Sequence, residues 1–143
     1  MSADTEMKKD FEKFKKENSY WLERDALFEA AAIDNGSEDV KKWSYRDQNV
    51  FASKNGNKER IAELKKVKDE NGINIVDFEE FVQFIADKQQ KEAKEKFNAQ
   101  GIDIYGDCQI GFSAKDFWAH KSAFDSLHEF GCAIENGQYR SEE

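Results

Sequence analysis

A chain of 143 residues with 30 Asp and Glu against 22 Lys and Arg carries a formal net charge of -8. That length suits a single domain spanning 1–143. The acidic balance argues against nucleic acid as a partner, because such affinity rests on Lys and Arg neutralising phosphates. No apolar run approaches the ~20 residues of a membrane span, and "MSADTEMKKDFEKF" has no apolar core of a secretory signal. Neither a membrane partner nor export is expected. Cys108 and Cys132 fit a reduced, cytoplasmic setting better than a disulfide framework. His120 and His128 are too few and too far apart for a metal set on their own. Proline is absent, although average usage of about 5% would supply roughly seven. Every connection therefore relies on Gly, Asn, Asp and Ser, as suits a very helical chain or an engineered or compositionally biased one.

In chain order the periodicity is mainly helical. Phe11 and Phe14 open an apolar stripe that Trp21, Leu22, Leu27 and Phe28 continue through "YWLERDALFEAAAI". "IDNGSED" is a stop, with Ser37 a candidate cap for the next element. Residues 39–57 are aromatic but irregular, and "KNGN" at 54–57 is a turn. Ile61, Leu64 and Val67 mark another helix, which Asn71-Gly72 is expected to close. A long helix comes next, with Phe78, Phe81, Val82 and Ile85 on one face and a charged stretch reaching Gly101. "IDIYG" alternates apolar and polar and is the one persuasive strand. Ser113 is the expected N-cap of a last helix carrying Phe117, Phe124 and Leu127 on one side. The tail from Gly131 reads as irregular, and 134–143 as flexible. The fold expected is mainly α: a helix-rich single domain with one or two short strands and no repeats.

"KDENGINIVDFEEF", residues 68–81, has the outline of a calcium loop. Asp69, Asn71, Asp77 and Glu80 would offer side-chain oxygens, with Glu80 at position 12. However, Ile73 stands at position 5, and Asn74 at position 6, where the sharp turn needs Gly. A second loop from Asp103, with Asp107 at position 5, has Tyr105, Cys108 and Ala114 at positions 3, 6 and 12. A degenerate calcium loop is thus the weaker alternative. A helix break and restart, with Asp77 or Asn74 capping the next helix, accounts for the same residues without a metal.

Two longer blocks bear on function. "FEKFKKENSYWLERDALFEA" and "FEEFVQFIADKQQKEAKEKFNAQGIDIYGDCQIGFSAKDFWAH" occur in this order, with "WSYRDQNVFASKNGNKERIAELKK" between them. Together, over residues 8–133, they resemble the amylomaltase (4-alpha-glucanotransferase) family of the alpha-amylase clan. The resemblance implies part of a (β/α)8 barrel with its helical insertion, "GIDIYGD" matching a barrel strand. It implies transfer of alpha-1,4-glucan segments by a retaining mechanism, with two carboxyl groups about 5–5.5 Å apart. In the family both lie beyond the stretch matched here, so the resemblance assigns no catalytic residue. The implied role is a fragment or derivative of the transferase, catalytically inactive alone, with no cofactor. Asp107 would border the glucan, since such sites gather at the C-terminal ends of barrel strands. Alpha-glucan or maltooligosaccharide would be the partner once the rest of the barrel is supplied. Gln109 and Lys121 depart from the family pattern, which commonly has proline at both places. The alternative is a stand-alone helical scaffold or interaction protein, natural or engineered, with an exposed face that could self-associate.

Overall fold

The computed structural model describes residues 3–106 and 112–124. Helix α1, Ala3–Glu17, is a charged helix whose Lys15 meets Glu12 at 2.9 Å and whose Phe14 is buried. The apolar stripe is divided at Asn18, which separates α1 from α2, Ser19–Asn35. The Asn18 carboxamide donates to the Phe14 carbonyl at 2.9 Å and accepts from the Trp21 indole at 3.1 Å. One side chain thus satisfies the end of one helix and fixes the start of the next.

Helix α2 is the axis of the molecule. Ala26, Leu27, Phe28, Ala30, Ala31 and Ala32 are all buried, because α1, α4, α5 and α6 pack around it. Alanines leave the neighbouring backbones free to approach closely while costing no helix propensity. Gly36 ends α2 in the left-handed conformation (φ 65°), and Ser37 N donates to the Ala32 carbonyl at 3.0 Å. The residue that caps the following 3-10 turn, Val40–Lys42, is Asp39; Ser37 accepts from Asp39 N instead. Ser44 then caps the single turn α3, Tyr45–Gln48, and Asn57 caps α4, Lys58–Leu64.

The expectation that this helix runs to Asn71-Gly72 is corrected: α4 stops at Leu64. Lys66 N turns back to the Glu63 carbonyl, and Ile75 N reaches the Val67 carbonyl at 3.1 Å, so the helix ends before the Gly and the chain doubles back through a turn that contains it. Of the two candidate caps, Asn74 opens α5, Ile75–Ala99, accepting from Asp77 N at 3.0 Å. The buried residues of α5 are Ile75, Val76 and Phe84, whereas Phe78 is 52% exposed and Phe81 and Val82 are also exposed. The expected apolar face is therefore only partly covered, since α1 and α2 approach along the Val76–Phe84 side. Residues 88–106 are exposed throughout, so the last three turns of α5 project from the body.

No strand forms among the described residues, and "IDIYG" at 102–106 has no regular structure. An alternating pattern makes a strand only when a neighbouring backbone accepts its hydrogen bonds. Here the one pairing is an isolated bridge between Lys68 and Asn74. The expected last helix is α6, Ala114–Ala119, with a reciprocal capping box between Ser113 and Asp116. It is shorter than expected and continues as a 3-10 turn, Lys121–Ala123. Phe117 and Phe124 do touch, at 5.3 Å, but the residues that reach the core are Trp118 and Ala119; Leu127 lies outside the described residues.

Trp118, 1% exposed, closes the main core. Its ring lies 5.0 Å from Phe51, 5.6 Å from Phe28 and 5.7 Å from Trp43, each near-perpendicular. Edge-to-face pairs of this kind add to the area each ring removes from water. Trp118→Ala is expected to cost about 3–5 kcal/mol, read as a lower urea midpoint, because so large a cavity cannot collapse.

Candidate functional site

Among the described residues the most connected polar group is Asp47, on α3 and nearly fully buried. Its carboxylate receives Arg60 Nε at 2.7 Å and Nη2 at 3.0 Å, and the Asn35 amide at 2.8 Å. Its backbone nitrogen donates to Ser44 Oγ, and its carbonyl accepts the Trp118 indole N–H at 2.6 Å. Arg60, 5% exposed, also reaches Glu63 at 2.9 Å and pairs with Asp34. Burial pushes the Asp47 carboxyl up, but hydrogen bonds from Arg60 and Asn35 outweigh it and hold the group below the usual range. Burial likewise disfavours the charged guanidinium, and its three carboxylate partners more than restore it. The charges and donors are mutually satisfied, so this cluster ties elements together and presents no free group for chemistry.

A second polar group lies between α2, α5 and α6. Asp25 is half-buried, facing Lys115, Asp116, His120 and Glu79; burial raises its pKa above the ordinary carboxylate value. Asp116 is held below that value by hydrogen bonds from Ser113, which serve the cap of α6. Lys115 in turn pairs with Glu29.

The residues of the calcium-like loop are placed differently from one another. Asp69 Oδ1 accepts from the backbone nitrogens of Asn71 at 2.9 Å and Ile73 at 2.8 Å. Asp77 is exposed in the first turn of α5. Glu80 faces a groove with Glu12, Lys15, Lys16, Ser19 and Glu23, and burial raises its pKa. Among the described residues no three His, Cys, Asp or Glu side chains are grouped to hold a metal ion. Asp103 is exposed. Asp107, Cys108, Cys132 and His128 lie outside the described residues, and His120 is the half-buried C-cap of α6.

Sequence reasoning did not single out Asp47 or Arg60. The available signal was an Arg one helical turn before the apolar Leu64, on the side that Leu64 turns to the core.

The family model for 4-alpha-glucanotransferase matches residues 1–136. The chain belongs to the 4-alpha-glucanotransferase family. The chloroplastic/amyloplastic 4-alpha-glucanotransferase of Solanum tuberosum is 30% identical over 128 residues, which are 87% of this chain and 20% of that protein. The 4-alpha-glucanotransferase of Aquifex aeolicus is 32% identical over 115 residues, 79% of this chain and 21% of that protein. The chain thus spans about a fifth of the length of the curated relatives it matches. No solved structure matches it. No helix among the described residues is long and apolar enough to cross a membrane.

Two stability measurements probe the polar clusters. Asp47→Ala leaves Arg60 buried with only Asp34 and Glu63, and is expected to cost about 3 kcal/mol in urea unfolding at neutral pH. Because the folded carboxyl titrates below its unfolded value, Asp47 stabilises above the unfolded pKa. That contribution fades as pH falls through the folded pKa, so the gap between parent and variant closes in acid. Asp25 has the opposite sign. Its pKa is raised on folding, so ionisation at neutral pH works against the fold, and the opposition disappears below the unfolded pKa. Asp25→Asn is expected to raise the urea midpoint at neutral pH, with the gain vanishing near pH 3.

Proposed function

We propose that this chain supplies a helical, non-catalytic part of a 4-alpha-glucanotransferase, and that alpha-1,4-glucan transfer needs the rest of the enzyme. The observation that carries this reading is a family match covering nearly the whole chain yet only a fifth of its relatives' length. Retaining transfer needs a nucleophile and an acid/base carboxyl held about 5–5.5 Å apart, and no motif in residues 8–133 supplies either. The exposed Phe97, Ile102, Ile104 and Tyr105 support the reading, because they line the projecting end of α5 and the segment after it. The rest of the transferase body is the occupant we assign to them. In that assembly 102–106 gains the neighbours it needs to become a barrel strand, and Asp107 borders the bound glucan. The assembly we propose is cytoplasmic.

One observation favours a second reading, an independent helical scaffold. Every buried side-chain nitrogen and oxygen among the described residues has a hydrogen-bond partner, so the core is complete without another chain.

Incubation of the pure chain with maltotriose separates these readings from an active enzyme. No glucose and no longer maltooligosaccharides are expected, whereas the same sequence joined to the rest of a transferase is expected to release glucose. Disproportionation by the chain alone would overturn the proposal. Failure of the joined protein, folded by circular dichroism, would favour the scaffold.

A further inference from the structure

The chain contains four Asn-Gly pairs, Asn35-Gly36, Asn55-Gly56, Asn71-Gly72 and Asn136-Gly137, the last outside the described residues. Such pairs are open to one reaction without any enzyme. The glycine backbone nitrogen attacks the asparagine Cγ; the N–Cγ bond forms and the Cγ–Nδ2 bond breaks. The departing Nδ2 leaves as ammonia with the glycine amide proton, and a cyclic imide remains. One water then opens the ring at either carbonyl, giving aspartate or isoaspartate, with no change of oxidation state. Glycine favours the step because no Cβ hinders the approach. In a folded chain the rate depends on how much structure must open to bring the two atoms together.

The three described sites differ sharply in that respect. Asn35 is locked: its amide donates to the Ala31 carbonyl at 2.9 Å and to Asp47 at 2.8 Å, and Gly36 N donates to the Ile33 carbonyl. Reaction there means dismantling the Asp47 cluster. At Asn55 the side chain is exposed, but Gly56 is wedged. A Cβ at Gly56 would lie 2.8 Å from Ile61 Cδ1 and 3.0 Å from the Phe51 ring, and Asn57 N is tied to the Val50 carbonyl at 2.7 Å. Moving Gly56 therefore disturbs the core. At Asn71 the side chain is exposed and its amide makes only a long 3.4 Å contact with Asp69. Gly72 N holds a single bond, to the Asp69 carbonyl at 3.0 Å, and open space surrounds the place of its Cβ.

We propose that Asn71-Gly72 is a site of spontaneous deamidation, the fastest of these three, and that its reaction loosens the connection between α4 and α5. The consequence lies in the turn itself. The new carboxylate would stand beside Asp69, whose own carboxylate holds the Asn71 and Ile73 backbone nitrogens. Isoaspartate adds a backbone carbon inside the turn that pairs Lys68 with Asn74, the cap of α5.

Trypsin separates the three sites onto residues 25–41, 55–58 and 69–88, so peptide mass mapping reads each one. The full chain is held at about pH 8.5 and 37 °C, folded and in concentrated urea. Folded, the mass gain of about one unit on 69–88 should outpace that on 25–41 by at least about tenfold, which corresponds to about 1.4 kcal/mol of extra opening cost at Asn35. In urea the three rates should converge. N71Q should abolish the fast gain, and the aged parent should lose hydrogen-exchange protection at the start of α5. Equal or faster reaction at Asn35 or Asn55 in the folded chain, or a fast gain that survives N71Q, would overturn the assignment of the site. Unchanged protection in fully modified protein would overturn its consequence.

Discussion

The buried pair between Asp47 and Arg60 is the constraint on which most of the fold depends. Two charges removed from water are favourable only if each is met by close, well-aligned partners. That requirement draws in Asn35 from α2, Asp34 and Glu63 at the margin, and the Trp118 indole on the Asp47 carbonyl. Helices α2, α4 and α6 thereby converge on one aspartate of α3. The aromatic group of Phe28, Trp43, Phe51 and Trp118 joins the same centre through the Trp118 indole, which donates to the Asp47 carbonyl.

Around that centre the molecule is uneven. Alanine-rich α2 lets its neighbours pack closely, and a second cluster of Phe14, Leu22 and Phe84 joins α1 to α5. Beyond it α5 leaves the body, and from residue 88 to 106 nothing is buried. An ion pair between Lys91 and Asp87 supports the projecting turns, but such exposed i,i+4 pairs contribute little. Among the described residues every buried side-chain polar atom is paired within the body, whereas the arm is uncovered.

Much of the local structure was legible. Gly36 and Gly101 marked helix ends because their positive φ angles suit glycine, and Ser113 was readable as a cap. The blocks that carried the family resemblance were legible too, and the family match bears them out. Other features depended on contacts that no local pattern carries. Phe84 is buried and Phe78 exposed although both sit in the same apolar run, because only the approach of α1 and α2 selects a side. Val67 looked like a further helical turn after Leu64, yet the bond from Ile75 N to its carbonyl turns the chain back.

By itself, then, the sequence determined the mainly helical character, the caps at Asn74 and Ser113, the stop at Asn35-Gly36 and the family, since each rests on spacing and residue type within a few positions. Tertiary structure alone decided that Arg60 would be buried rather than solvated, because its partners Asp47 and Asp34 lie 13 and 26 residues away. It also decided that "IDIYG" would stay irregular among these helices. A strand is a property of two neighbouring backbones, and the described residues provide no second one.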